Sequence, residues 1–172
     1  MHQYRYCHSL RNKAMCEPKF ILDVHLGKLA RYLRMLGFDT LYENDYTDPE
    51  IVNIAKAEKR AVLTRDAELL KTKAIEEGYL INSKNYLEQL AEVIFRYDLS
   101  SKLKPFSRCM VCNGIIEKAA KEAVIDKLLP KTRQYYEEFY QCKSCERIYW
   151  KGSHYIKMQR FMDDFLSKIS RS

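Results

Sequence analysis

Carboxylates at the ends of short apolar runs are the first residues in this chain that could do chemistry. Phe20-Ile21-Leu22 runs into Asp23, and Ala61-Val62-Leu63-Thr64-Arg65 runs into Asp66. Asp48 stands between them, before Pro49, with Asp45, Glu50 and Glu68 as acidic neighbours. Acids gathered at one place cannot all stay ionised without a cation, because like charges raise one another's pKa. Mg²⁺ or Mn²⁺ answers that need, since hard divalent ions take oxygen ligands and keep several waters. Such an ion lowers the pKa of a water and polarises a phosphoryl oxygen, which suits phosphodiester hydrolysis. Within residues 20–99 His25 is the sole histidine and cysteine is absent, so no other nucleophile or base competes convincingly. A glycine-rich phosphate loop is also missing, which argues against nucleoside triphosphate hydrolysis.

Thiols form a second constellation. Cys109-Met110-Val111-Cys112 and Cys142-Lys143-Ser144-Cys145 are two C-x2-C knuckles. Each can give two thiolates to one tetrahedral ion, and together they make a four-cysteine Zn²⁺ site with no coordination position left for catalysis, hence a structural one. Cys7, His8 and Cys16 fit no such spacing and receive no function.

The totals bound the partners. A chain of 172 residues has room for one domain and a small appendage. Its formal net charge of +7 favours an acidic partner, of which nucleic acid is the commonest. No run approaches the ~18 apolar residues of a membrane span, and the N-terminus lacks a secretory apolar core. The expectation is a cytoplasmic protein without a membrane partner, in a reducing compartment where cysteines serve metal before disulfides.

The elements that must position these residues follow from periodicity. Phe20–Leu22 reads as a buried strand delivering Asp23 to its C-terminal edge, where ligands of open α/β sheets sit. A helix over Leu26–Leu36 puts Leu26, Leu29, Leu33 and Leu36 on one face and Lys28, Arg31 and Arg34 on another. Gly37 stops it, and Phe38–Tyr42 alternates like a second strand. Asp48 caps the next helix with Pro49 at its first position, and capping alone accounts for Asp48 unless the helix begins at the sheet edge. Arg60–Arg65 is a third strand, with a helix expected to start after Asp66. Gly78–Ile81 is a fourth, before a helix capped by Asn82 or Ser83 with Leu87, Leu90, Ala91, Ile94 and Tyr97 on its inner face. Strands alternating with helices imply a parallel sheet with helices on both faces. Polar, basic Ser100–Pro105 then marks a boundary. The organisation expected is a lead-in over 1–19, an α/β domain over 20–104 and a zinc ribbon with a C-terminal helix over 105–172. The stretch Glu117–Tyr140 reads as mostly helical, broken by Pro130. Arg147–Tyr155 interleaves cations and rings: Tyr149 and Trp150 either stack on bases or fill the ribbon, while Lys151, His154 and Lys157 are free for a phosphate backbone. Tyr155–Ile169 is an amphipathic helix that docks through Met158, Phe161, Met162 and Phe165.

Four motifs carry a resemblance. The stretch from Asp23-Val24-His25-Leu26-Gly27-Lys28 through Arg34-Met35-Leu36-Gly37-Phe38-Asp39 closely resembles the opening of the Mut-seven C-terminal RNase domain family. Leu63-Thr64-Arg65-Asp66 is similar to its second signature, Pro105-Phe106-Ser107-Arg108-Cys109 through Cys112-Asn113-Gly114 to its third, and Tyr149-Trp150-Lys151-Gly152-Ser153-His154 to its last. The likeness spans roughly residues 20–165. It implies a PIN-like nuclease fold joined to a zinc ribbon, and a metal-dependent ribonuclease preferring single-stranded RNA. The family's acids fall on Asp23, Asp66 and Asp48, with Asp45 a rival of Asp48 and Glu68 at the place of a fourth. On that reading Lys28, Arg31 and Arg65 lie near the scissile backbone. The alternative is a non-catalytic adaptor that binds RNA or the ribosome; no protein partner can be named from the sequence.

Overall fold

The computed structural model describes residues 17–169, so the readings of Cys7, His8 and Cys16 fall outside it. The chain forms a four-stranded parallel sheet flanked by helices, followed by a three-stranded antiparallel sheet that carries the cysteines. In the first sheet β1 (Phe20–Leu22), β2 (Thr40–Leu41), β3 (Ala61–Thr64) and β4 (Gly78–Leu80) lie in the order β2-β1-β3-β4. Alternation along these strands decides both faces. Phe20, Leu22, Ala61 and Leu63 bury against α1 (Gly27–Met35) and α3 (Tyr86–Arg96), whereas Ile21 and Val62 bury against Ile51 and Ala55 of α2 (Asp48–Glu58).

Three element starts differ from the sequence reading, each for a local reason. Thr47, not Asp48, caps α2: its N–H and hydroxyl both donate to Glu50, at 2.8 and 2.7 Å, in a capping box, leaving Asp48 and Pro49 in the first turn. After Asp66 the chain makes only a 3-10 turn, Leu69–Lys71. There the Thr64 and Asp66 side chains accept from the amides of Asp66 and Glu68, at 2.9 and 2.8 Å, competing with a helix for the same donors. Asn85, not Asn82 or Ser83, caps α3: its side-chain oxygen accepts the Leu87 amide at 2.8 Å, while the amides of Asn82 and Ser83 donate to Glu92 at 3.0 and 2.8 Å.

The second sheet consists of β5 (Ile116–Ala119), β6 (Phe139–Cys142) and β7 (Ile148–Trp150). Between β5 and β6 lie α4 (Lys121–Val124), a 3-10 turn and α5 (Pro130–Tyr135). The stretch after the first knuckle therefore opens with a strand, and Pro130 starts a helix instead of breaking one, as its missing N–H allows. The last helix, α6 (Ser153–Ile169), crosses back to the first sheet's layer, where Met162 and Phe165 are buried with Leu33 and Leu90, and Phe161 meets Tyr32 at 5.1 Å.

A polar seam joins the first knuckle to the edge of the parallel sheet. Arg34 does not share the exposed face of Lys28 and Arg31; it is 4 % exposed. Its guanidinium donates to the carbonyls of Thr40 at 2.8 Å, Tyr42 at 3.3 Å and Val111, between the knuckle cysteines, at 2.7 Å. Asn113 accepts the edge amide of Thr40 at 3.0 Å and donates to Asp39 at 2.8 Å. Asp39 also holds Arg60 at 2.7 Å and Arg108 at 3.4 Å. Burial pushes the Asp39 carboxyl up, but hydrogen bonds from Arg60 and Asn113 and the charges of Arg60 and Arg108 outweigh it, so its pKa lies below the usual value.

A lowered pKa stabilises the fold above the ordinary carboxylate range, and that contribution disappears as pH falls through the folded value. Asp39→Ala takes one of two carboxylates from Arg60, which keeps Glu58 at 2.7 Å, and leaves the Asn113 side-chain amide without that acceptor; it is expected to cost about 2 kcal/mol at neutral pH. Urea unfolding of parent and variant should show this gap closing below pH ~3.9; a gap that stays constant into acid would contradict the assignment.

Candidate active site and cationic groove

Parallel pairing of β1 and β3, with Leu22 opposite Leu63, brings Asp23 and Thr64 side by side at the sheet's C-terminal edge. Asp23 is 5 % exposed and held by three protein donors. Its Oδ1 accepts the His25 amide at 2.8 Å, and its Oδ2 accepts the Arg65 amide at 2.8 Å and the Thr64 hydroxyl. The same hydroxyl accepts the Asp66 amide at 2.9 Å, so Thr64 links the buried acid to the backbone of the second one. Thr64 was not singled out from the sequence, although it stands in the Thr64-Arg65-Asp66 motif.

The other acids are looser. Asp45, Asp48, Asp66 and Glu68 are exposed. Asp66 accepts the Glu68 amide, and the Glu68 carboxylate pairs with Lys71 at 2.6 Å. Asp48 begins α2, which leaves the sheet at the edge that carries Asp23. Among the described residues no trio of these acids is gathered as closely as the cysteines.

The cysteines form one compact group, with the Sγ atoms of Cys109, Cys112, Cys142 and Cys145 all within 4.8 Å of one another. Cys109 and Cys145 are 3.6 Å apart, and Cys112 and Cys142 3.4 Å. Sulfurs about 2.3 Å from one tetrahedral ion are separated by about 3.8 Å, so this donor set fits zinc. Both knuckles turn alike. Asn113 and Glu146 follow the second cysteine with φ of 67° and 56°, and their amides return to the carbonyls of Cys109 and Cys142 at 2.9 and 3.0 Å. Gly114 lets the knuckles approach, since a Cβ there would lie 2.7 Å from Cys142 Sγ. The Tyr149 hydroxyl lies 2.9 Å from Cys109 Sγ. Burial opposes the Cys109 thiolate, but hydrogen bonds from Tyr149 and the Cys112 and Val111 amides bring its pKa down to about 6. Burial and the neighbouring thiols push Cys112 up to about 12. Tyr149 therefore serves the ribbon, as does Trp150, which packs against the buried cluster of Val124, Leu128 and Phe139.

Arg31, Lys151, His154 and Lys157 line one groove between the ribbon, α1 and the start of α6. Lys28 lines an adjoining recess and lies 5.1 Å over the Tyr86 ring. Arg65 instead sits at the acid edge, where its amide holds Asp23.

A parallel α/β sheet with an acid buried at its edge, followed by a four-cysteine ribbon, is the arrangement on which the comparisons bear. The family model of the Mut7-C RNAse domain matches residues 18–162. The chain belongs to that family, a class of nuclease-type enzymes whose name points to RNA as substrate. No curated protein and no solved structure matches it. No helix among the described residues is long and apolar enough to cross a membrane.

Zinc binding and folding are coupled in small cysteine modules, and the apparent binding energy of about 10–16 kcal/mol exceeds the usual stability of a domain. Cys142→Ser is expected to lose zinc and the fixed packing of β5–β7. Metal analysis and the near-ultraviolet circular dichroism of Trp150 should report both losses together; a variant that keeps its zinc and its tertiary signal would contradict this.

Proposed function

We propose that the chain is a PIN-like, metal-dependent ribonuclease that hydrolyses phosphodiester bonds of single-stranded RNA at the acid edge of its parallel sheet. The observation that carries the reading is the Thr64 hydroxyl, which ties buried Asp23 to the backbone of Asp66 on adjacent strand ends. Asp23 Oδ1 has one protein donor, so it keeps acceptor capacity towards a cation, while its other oxygen is pinned by two. Asp48, in the first turn of α2, and Asp66, just after β3, are exposed, and on this reading they complete a hard, oxygen-donor set, with Asp45 and Glu68 as further candidates.

Bound there, Mg²⁺ or Mn²⁺ would supply charge neutralisation at the phosphate and an acidified water. The chain's own residues do the rest. The fold orients Asp23 through three donors, and Thr64 fixes the backbone that carries Asp66. Lys28 and Arg31, on the exposed face of α1 that follows Asp23, attract the phosphate backbone, and Arg65 does so from the other strand end. Glu50 is occupied in capping α2, which leaves it outside the site. The ribbon's zinc is structural, since four thiolates leave it no open position.

Asp66→Asn removes a ligand while keeping the side-chain carbonyl that accepts the Glu68 amide. It is expected to lower Mn²⁺- or Mg²⁺-dependent cleavage of end-labelled single-stranded RNA by at least about 100-fold while leaving RNA affinity unchanged. Cleavage by the variant at the parental rate would remove Asp66 from the site. Tight RNA binding with no cleavage by the parent, under any divalent ion, would identify an adaptor instead.

A further inference from the structure

The groove beside the ribbon has a composition that the acid edge does not explain. It measures about 820 Å³, at the large end of the ~300–1,000 Å³ range of ligand sites. Among the described residues that line it are five lysines and arginines and one histidine, and no aspartate or glutamate. The two cations with carboxylate partners are Lys151, 3.4 Å from Glu138, and Arg108, which belongs to the seam through Asp39. Arg31, Arg147, His154 and Lys157 are exposed and have no acidic partner among the described residues. Keeping cations together without counter-charges is unfavourable unless a polyanion is the missing partner.

The groove is also walled by rings, which a site for phosphate alone would not need. Tyr136, Tyr140, Trp150 and Tyr155 line it, drawn from the end of α5, β6, β7 and α6. Tyr155 is half-buried, its ring braced 4.7 Å from Phe106. The groove continues towards the acid edge: the adjoining recess of about 320 Å³ shares Arg31, Met110, Lys157 and Met158 with it and adds Lys28. Lys28 and Arg31 stand one turn apart on α1, five and eight residues beyond Asp23. At helical rises, Arg31 is about 12 Å along the chain axis from Asp23.

We infer that this groove holds the flank of a single-stranded RNA whose scissile bond lies at the acid edge, with Arg147, Lys157 and Arg31 on successive phosphates and Tyr155 stacking on an unpaired base. The inference rests on the nuclease reading for what happens at Asp23, but not for the binding itself. Unpaired bases and a charged backbone match alternating rings and cations; a duplex, whose bases are already stacked, does not use the rings. An acidic peptide would match the cations alone.

The chain's single tryptophan, Trp150, lines the groove and reports on it directly. Hexauridylate titrated into the zinc-loaded full chain, without added Mg²⁺ or Mn²⁺, should quench its fluorescence. The double variant Arg147→Gln, Lys157→Gln is expected to bind about tenfold or more weakly, and the slope of log affinity against log salt should fall by about 1.4, at about 0.7 per phosphate contact of a single strand. Tyr155→Leu keeps an apolar contact for Phe106 and should also weaken binding about tenfold, with an unchanged salt slope. Parental affinity in both variants, or binding without any change at Trp150, would overturn the inference. So would a polyglutamate peptide that competes as well as hexauridylate, which would make the groove a seat for an acidic protein. Metal-dependent cleavage by the parent with unaffected groove variants refutes the groove and spares the nuclease; lost binding in the variants with no cleavage by the parent does the reverse.

Discussion

Arg34 sits inside the fold with its guanidinium spent on backbone carbonyls, one of them in the first zinc knuckle. A buried charge is costly unless its hydrogen bonds are made. The bond to Val111 exists only when Cys109–Cys112 is folded into its turn, and Asn113, next in the chain, closes the open edge of β2 through the Thr40 amide. An unpaired amide at an edge strand is a liability, and here the ribbon covers it. The parallel sheet and the ribbon are therefore mutually dependent, and a structural zinc would stabilise a sheet that contains none of its ligands. Helix α6 reinforces the tie by returning from the ribbon to bury Met162 and Phe165 in the first core.

This dependence has a functional side. Helix α1 carries Arg34 on its inner face and Lys28 and Arg31 on its outer face, and begins just after Asp23. The helix that locks the ribbon in place is thus the one that runs from the acid edge to the cationic groove. A strand of RNA bound across both would see a fixed separation, because each end is referred to the same rigid element. The proposed chemistry would need only ordinary parts: one acid buried and oriented, exposed acids to complete the set, and a cation-rich track leading away.

Much of this was legible in the sequence. Phe20–Leu22 and Ala61–Leu63 were clear as strands because residues buried on both faces leave an unbroken apolar run, and the cysteine knuckles because metal geometry restricts spacing. The role of Arg34 was not legible. Helical periodicity grouped it with Lys28 and Arg31, and nothing in that pattern reveals that its acceptors come from a knuckle far along the chain. Competition for single amides is equally invisible, so the capping of α2 passed from Asp48 to Thr47, and the helix expected after Asp66 was replaced by side-chain turns around Thr64. The groove escaped because its rings come from separate stretches between Tyr136 and Tyr155 that only the tertiary fold brings together, though the basic residues of the Lys151–Lys157 segment pointed towards it.

The most direct test of the account is native-state hydrogen exchange at the Thr40 amide, read by NMR with zinc bound and after its removal by a chelator. Its protection depends on Asn113, and through it on the knuckle. If the ribbon and the sheet edge are one cooperative unit, Thr40 and its neighbours in β2 lose protection together with β5–β7 when the metal leaves. If β5–β7 exchange freely while Thr40 stays protected, the ribbon is a separable appendage and the proposed coupling between the two sheets is wrong.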